Sequence, residues 1–207
     1  MKPAALGIRM HSGWGILVAV NHEIEIIERR RIVITEGHGP RGNQPFHHAQ
    51  ELSLEKAEGF LAEYRSISER LARRELQAAR AAISARGCNV VAAALLLASG
   101  RPLPALPQIL ASHPLIHTAE GELFREVVID ACEGLRIPVE RYRECDLEEL
   151  AKPALADSLT DAKQRLASAG KLIGPPWTAD HKAAALAACI ALRRRTALNV
   201  AKKNCTE

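Results

Sequence analysis

The alternation of apolar and polar positions in the first 34 residues predicts three short strands. Residues 4–10 and 13–20 are apolar stretches joined around His11 and Ser12. Residues 24–34 mix isoleucine and valine with charged residues, a pattern typical of a strand near the edge of a sheet. Because only short turns separate the three strands, we expect them to form an antiparallel meander.

The pattern then changes from strand spacing to helical spacing. Residues 36–50 are rich in glycine and proline and predict a loop. From residue 54 to about residue 86 apolar residues recur at helical spacing, with a break favoured near Ser66 or Ser68. Residues 89–98 follow as a continuous apolar run, which is typical of a parallel strand buried on both faces.

The second half of the chain predicts several helices and one more strand. These elements are a short helix at 106–111, a helix at 119–134, a strand at 137–142, short helices at 146–152 and 156–169, and a long alanine-rich helix from 179 to about 203. Because strands joined through helices form parallel crossovers, the predicted fold is α/β, with a mixed five-stranded sheet of three antiparallel and then two parallel strands. We expect one domain over 1–207, with helical insertions at about 101–118 and 146–172.

Composition and charge limit the partners of this domain. Hydrophobic residues make up 47% of the chain and aromatic residues only 3%, so the core must be aliphatic and alanine-rich. Such a composition supplies few aromatic platforms on which nucleic-acid bases could stack. The formal net charge of +4 is mild, and it permits a polyanionic partner without requiring one.

The cysteines and the apolar runs indicate the compartment. The five cysteines form no CxxC pair, which is typical of reduced, intracellular thiols and not of a disulfide framework or a zinc site. The longest apolar run, 90–98, is too short to cross a bilayer. Arg9 and His11 interrupt the apolar N-terminus, which does not have the pattern of a secretory signal. We therefore expect a cytoplasmic protein with no membrane partner.

The N-terminal strands carry a resemblance to a known family. The segment GIRMHSGWGIL, from Gly7 to Leu17, resembles the opening of Holliday-junction resolvase-type members of the ribonuclease-H-like superfamily. In that family a Gly-Ile-Asp strand end precedes a Thr/Ser-Gly-aromatic-Gly strand start. The final helix, in which Asp180 precedes an alanine-rich stretch, is similar to the last helix of the family, whose N-terminal part carries an acidic metal ligand. The predicted order of elements agrees with the same fold.

The resemblance implies a nuclease whose carboxylates hold two magnesium ions, and this sequence departs from that pattern. Arg9 stands where the first carboxylate is expected, and Leu97-Ala98-Ser99 stand where the second is expected. Only Asp180 falls on a family position. Because one carboxylate beside an arginine cannot hold a pair of magnesium ions, we do not expect the two-metal nuclease of the family.

Topology gathers the polar residues at one edge of the predicted sheet. The C-terminal ends of strands one, three, four and five lie along that edge, which is where ligands bind in α/β sheets. Seven of the eight histidines map to this edge, and only His22 maps to the opposite one. The polar residues mapped there are His11, His38, His47, His48, His113, His117, His181, Arg9, Arg41, Arg101, Glu36, Glu120, Glu122 and Asp180.

These residue types suit two kinds of chemistry. Histidine titrates near neutral pH and is the commonest metal ligand, so the histidines suit acid–base work or a divalent metal ion. Arginines, together with helix N-termini near Thr118 and Thr178, suit an anion such as phosphate. We predict His11, His117, Glu120 and Asp180 as the catalytic core of a site for an anionic or phosphate-ester ligand. The predicted ligand-binding residues are Arg9, Ser12, Arg101, His113 and Trp177.

Each of these features also has a structural interpretation. A lone histidine in a loop is more often a hydrogen-bonded loop residue than a ligand. Glu120 and Glu122, in the first turn of a predicted helix, would compensate the helix dipole. Trp14 and Trp177 are more often core anchors than stacking platforms. The prediction of a site therefore depends on the shared location of the residues and not on any one of them.

Three classes of function remain open. The first is a hydrolase of phosphate esters, including nucleic acid, that uses a metal with a non-standard set of histidines and carboxylates. The second is a non-catalytic relative of the nuclease fold that binds nucleic acid or a protein partner through the same edge. The third is a protein that binds small anions. The apolar faces of the alanine-rich helices are compatible with a homodimer.

Overall fold

A mixed five-stranded sheet forms the centre of the protein. The computed structural model describes residues 1–37, 40–98, 102–156 and 159–204, and the side chains of all of these except 40–41 and 199–204. The strands are β1 (Lys2–Met10), β2 (Trp14–Asn21), β3 (Ile26–Val33), β4 (Cys88–Leu97) and β5 (Val139–Arg143), in the order β3-β2-β1-β4-β5. β1, β2 and β3 pair antiparallel, whereas β1–β4 and β4–β5 pair parallel. The predicted fold class is confirmed.

Helices cover both faces of this sheet. They are α1 (Pro40–Asn43), α2 (Pro45–Ala49), α3 (Leu54–Ala85), α4 (Leu106–Leu110), α5 (His113–Gly134), α6 (Leu147–Leu155), α7 (Leu159–Ile173) and α8 (Ala179–Asn204), with a 3-10 turn at Glu144–Asp146. One hydrophobic core lies between the sheet and the α3–α5 layer, and a second lies between the sheet and the α6–α8 layer. We call these two sides the α5 face and the α8 face.

Successive side chains of β1 point to opposite faces of the sheet, so they contact different helix layers. Leu6 and Ile8 belong to the core of the α5 face, whereas Ala5 belongs to the core of the α8 face. Gly7 also lies against α8. Because side chains of a strand alternate between faces, Arg9 lies on the α8 face as well. The small residues Ala5 and Gly7 allow α8 to lie directly on β1. Arg9 follows them on the same face, near the end of the strand.

The contact between α8 and β1 is unusually close at Gly7. A Cβ atom at this position would lie 1.7 Å from the carbonyl oxygen of Ala184 and 3.1 Å from the backbone nitrogen of Ala188. The backbone of the helix therefore touches the backbone of the strand, and only glycine fits between them.

The alanine-rich face of α8 is buried within the chain. Its fully buried alanines are Ala184, Ala185, Ala187, Ala188 and Ala191. These side chains pack against the sheet, so this face is not available for the dimer contact that the sequence suggested. A homodimer stays a prediction, and it would have to use another surface.

Three predicted elements differ from the structure. Helix α3 is continuous, because Ser68 is buried on its packed side and strong helix formers flank the two serines. Helix α5 begins at His113 and not near 119, since Pro114 is tolerated in the first turn of a helix. The predicted loop 36–50 contains the short helices α1 and α2, and Pro45 occupies the first turn of the second.

Two expectations concern the environment of the chain and of its thiols. None of the described helices is both long and apolar enough to cross a bilayer. Burial raises the pKa of the Cys132 and Cys189 thiols to about 12, which agrees with thiols that act as small hydrophobic groups. The cytoplasmic location stays a prediction.

We expect Gly7→Ala to destabilise the protein by about 3 kcal/mol, because the new methyl group meets helix backbone that cannot rotate away. The matched control is Gly59→Ala in α3, where a Cβ atom would meet nothing within 4 Å. That substitution should stabilise the protein by about 0.5–1 kcal/mol, because alanine favours the helix. Urea unfolding measures both, and equal stability of Gly7→Ala and the parent chain would contradict the close contact.

Candidate functional site

An arginine with two carboxylates occupies the C-terminal edge of the sheet on the α8 face. We call Arg9, His11, Glu144 and Asp180 the Arg9 cluster. Arg9 comes from the end of β1 and His11 directly follows it, Glu144 follows β5, and Asp180 lies in the first turn of α8. The predicted convergence of these strand ends at one edge therefore brings together residues that are up to 171 positions apart.

The Arg9 guanidinium bridges the two carboxylates. Its Nη1 atom lies 2.7 Å from Oδ1 of Asp180, and its Nη2 atom lies 3.0 Å from Oε2 of Glu144. Nε2 of His11 lies 2.9 Å from the second carboxylate oxygen of Asp180 and 3.2 Å from Nη1 of Arg9. Each carboxylate thus already has a cationic partner within the chain.

This arrangement does not fit the pair of magnesium ions that the family resemblance implies. Magnesium requires carboxylate oxygens and water in a near-octahedral shell. Here a guanidinium lies among the carboxylates, so a second cation would meet like charge in the same place. The end of β4 supplies no acid either, because Leu97 and Ala98 occupy its described part. No step of two-metal hydrolysis can be assigned to these residues.

A tryptophan links the Arg9 cluster to the arginines of β3. The ring of Trp14 stacks on His11 at 4.2 Å between centroids, with an interplanar angle of 15°. The guanidinium carbon of Arg31 lies 4.3 Å from the centre of the same ring. Because His11 and Arg31 cover the ring, Trp14 does not offer a free surface on which a base could stack.

Beside Trp14 lies a concavity of about 480 Å³, which we call the arginine concavity. Its lining includes Trp14, Arg29, Arg30, Arg31, Asp180 and His181. Arg29 donates two hydrogen bonds through Nη1, at 2.8 Å to the Gly174 carbonyl and 2.7 Å to the Pro176 carbonyl. Neither Arg29 nor Arg31 is paired with a carboxylate in the described part of the chain.

His181 closes the inner side of the arginine concavity. It is only 4% exposed, and its Nδ1 atom accepts hydrogen bonds from the backbone N–H and the hydroxyl of Thr178 at 3.2 and 2.8 Å. Burial lowers the pKa of His181, and the nearby positive charge of Arg29 lowers it further. The imidazole is therefore neutral at pH 7, and it fixes the start of α8 as a capping group.

A second group of titratable residues lies at the same edge on the α5 face. We call His47, His113 and His117 the histidine triad. One imidazole atom of each lies within 4.8 Å of the others. Below them is the buried carboxylate of Glu120, whose Oε1 lies 2.8 Å from Nδ1 of His47 and whose Oε2 lies 4.0 Å from Nδ1 of His117.

The four predicted catalytic residues fall into these two groups. His11 and Asp180 contact each other in the Arg9 cluster, whereas His117 and Glu120 lie together beside the histidine triad. No hydrogen bond or ion pair between described residues joins one group to the other. The four side chains therefore do not form one cluster, and their catalytic role stays a prediction.

The predicted ligand-binding residues are distributed in the same way. Arg9 lies in the Arg9 cluster and His113 in the histidine triad, while Ser12 is exposed in the turn between β1 and β2. Trp177 donates its indole N–H to the Leu166 carbonyl at 2.7 Å, so it anchors α7 to the start of α8. Arg101 lies outside the described residues.

Two more residues of the predicted edge are not described in full by the structure. His38 is outside the described residues, and the side chain of Arg41 is not described. The predicted helix N-terminus near Thr118 is wrong, because Thr118 lies inside α5. The dipole interpretation of Glu120 and Glu122 fails for the same reason, since both residues follow the first turn of that helix.

His47 is the member of the histidine triad that the predicted site does not include. Its segment is predicted as a loop, and His113 and His117 are predicted to precede the helix, whereas the structure places His47 in α2 and the other two in α5. The available signal was the spacing of His113 and His117, because residues four apart share one face of a helix. The approach of α2, which brings in His47, has no signal in the sequence.

Comparison with known proteins finds similar solved structures only. No family model matches the chain, and no curated protein matches it. The structure of Thermus thermophilus RuvC in complex with a Holliday junction substrate is 13% identical over 90% of each chain, with a TM-score of 0.47. A second Thermus thermophilus RuvC structure is 14% identical over 90% of this chain and 92% of the other, with a TM-score of 0.43. At these identities the similarity concerns the fold alone.

Proposed function

We propose that the protein binds the phosphate backbone of nucleic acid at the C-terminal edge of its sheet, without two-magnesium hydrolysis. The observation that supports this proposal is the arginine concavity, in which Arg29 and Arg31 carry positive charge with no carboxylate partner among the described residues. Contacts of lysine and arginine side chains with phosphate supply most of the sequence-independent affinity for nucleic acid.

The two guanidinium groups are held in position before any ligand arrives. Two backbone carbonyls fix Nη1 of Arg29 and leave its positive charge in place, because a carbonyl is neutral. Trp14 supports the guanidinium of Arg31 through a cation–π contact. Arg29 and Arg31 are two residues apart on one strand, so they share a face. A fixed fork of N–H donors suits the oxygens of a phosphate.

The Arg9 cluster supports a binding role and not a nuclease role at this place. Arg9 offsets one of the two negative charges of Asp180 and Glu144, which weakens the carboxylate repulsion that a phosphate would otherwise meet beside the arginine concavity. The same ion pairs use the oxygens that a magnesium ion would need. The sequence resemblance makes branched DNA the first probe to test.

Small-anion binding and metal-dependent hydrolysis remain the competing functions. A small anion would contact one or two arginines, and its affinity would depend weakly on salt. A nucleic acid would cover several cations and release their counterions, so its affinity would fall steeply with salt. Hydrolysis would need a metal site other than the Arg9 cluster.

We expect fluorescently labelled branched or single-stranded DNA to bind with a steep salt slope. The double variant Arg29→Ala/Arg31→Ala should lower the magnitude of the slope of log K against log[salt] by about 2 and weaken binding at least tenfold. Lys152→Ala/Lys163→Ala is the matched charge control, because both lysines are exposed, each is paired with a carboxylate, and neither lines the concavity. Equal binding by the double variant and the control would refute the proposal. Salt-insensitive binding of inorganic phosphate alone would favour the small-anion class.

A second experiment tests whether Arg9 takes the place of a metal ion. In Arg9→Asp three carboxylates meet without the guanidinium between them, so the Tm should fall. Magnesium at about 5–10 mM, on the order of the dissociation constant of a weak carboxylate site, should restore part of the lost Tm. Arg9→Ala has one carboxylate fewer and should respond less. The parent chain should show no magnesium-dependent rise in Tm and no magnesium-dependent cleavage of DNA. A magnesium response of the parent chain equal to that of Arg9→Asp would contradict our interpretation.

A further inference from the structure

We propose that His47, His113 and His117 form a mononuclear site for zinc or a similar transition-metal ion, with one exchangeable coordination position. The site lies on the α5 face of the sheet edge, and it is independent of the arginine concavity. Imidazole nitrogen is a preferred ligand of zinc, and three protein ligands with one open position characterise zinc sites that hold an exchangeable water.

Two of the ligands come from one helix. His113 and His117 are four residues apart in α5, so their side chains share a face of the helix. Their Nε2 atoms lie 3.1 Å apart. Two nitrogen ligands on one tetrahedral zinc ion lie about 3.3 Å apart, since each is roughly 2.0–2.1 Å from the metal. The spacing of these two atoms is thus already close to what a shared ion requires.

The third ligand comes from the short helix α2. The ring centroid of His47 lies 5.1 Å from that of His113 and 4.7 Å from that of His117. Because Nδ1 of His47 is bonded to Glu120, Nε2 is the atom that remains for a metal ion. The ligand atoms of the three histidines lie within 4.8 Å of one another. His113 and His117 are exposed, so their rings can rotate and bring these atoms closer together.

The buried carboxylate of Glu120 is the second observation that indicates a metal ion. Glu120 is 2% exposed, and no lysine or arginine among the described residues pairs with it. Its Oε1 atom is hydrogen-bonded to Nδ1 of His47, and its Oε2 atom lies 4.0 Å from Nδ1 of His117, which leaves the Nε2 atom of each ring for the metal. A carboxylate hydrogen-bonded to the non-ligating nitrogen of a histidine, as Glu120 is to His47, commonly orients the histidine ligands of zinc. Glu120 is therefore a positioning residue.

The open side of the histidine triad decides its chemistry. His113 and His117 face solvent, so water can occupy the fourth position. Zinc lowers the pKa of a bound water to about 7. A zinc ion at this site would therefore hold hydroxide near neutral pH, or an anion in place of the water. The chemical class of ligand at the fourth position is thus a water molecule or a small anion.

Metal titration of chelator-treated protein without an affinity tag tests the site. Zinc at about 100 times its dissociation constant should raise the Tm of the parent chain by roughly 5–10 °C. His113→Ala and His117→Ala should each weaken zinc binding more than about 100-fold, because they remove a ligand at an exposed position where folding is unaffected. Absence of any zinc-dependent rise in Tm would overturn the proposal.

His48→Ala is the matched control for loss of a histidine. His48 lies next to His47 on α2, but its ring packs on Phe60 at 4.8 Å and it is not part of the triad. Zinc affinity should stay within about twofold of that of the parent chain. A loss in His48→Ala as large as in His117→Ala would show that the histidine triad is not the site.

Glu120→Gln tests the positioning role with a readout that folding alone would not change. The amide keeps the shape of the side chain but removes its charge, so zinc affinity should fall about 10–100-fold. Cobalt substitution gives an independent measure, because the visible spectrum of cobalt reports its coordination geometry.

The spectrum of the parent chain should change on addition of azide, and an unchanged spectrum would contradict the open fourth position.

Discussion

The contact of one helix backbone with one strand backbone fixes the geometry of the α8 face. At Gly7 no side chain separates β1 from α8, so the position of the helix is set by van der Waals contact between main chains. Two elements in such contact cannot shift without opening a void or a clash. The first turn of α8 is therefore held at a constant distance from the end of β1, and so are the groups carried on it.

The Arg9 cluster depends directly on that contact. Asp180 reaches Arg9 because α8 starts where β1 ends, and the small residues Ala5 and Gly7 allow the approach. The ion pairs themselves are partly exposed, and partly exposed ion pairs contribute little to stability. Their main effect is local: they hold the Arg9 guanidinium between the two carboxylates at the edge of the sheet and engage both oxygens of Asp180.

The sequence predicted the sheet well because strand signals are local. Continuous apolar runs and alternating patterns marked all five strands, and the rule for parallel crossovers then gave their directions. The starts of helices were predicted less well, since Pro114 and Pro45 looked like loop residues although both lie in the first turn of a helix. That error concealed the helical spacing of His113 and His117. The separation of the candidate residues into two groups depends on which face of the sheet each element covers, and no local pattern encodes it.

The surroundings of Trp14 have a practical consequence. The chain contains two tryptophans, and both lie near the arginine concavity. Trp14, the first residue of β2, lines the concavity. The ring of Trp177 lies 5.5 Å from that of His181, which also lines it. All intrinsic tryptophan emission therefore originates beside one surface. Any molecule that displaces Arg31 or His11 from the indole changes the environment of that fluorophore, so the protein carries its own optical reporter for this surface without a label.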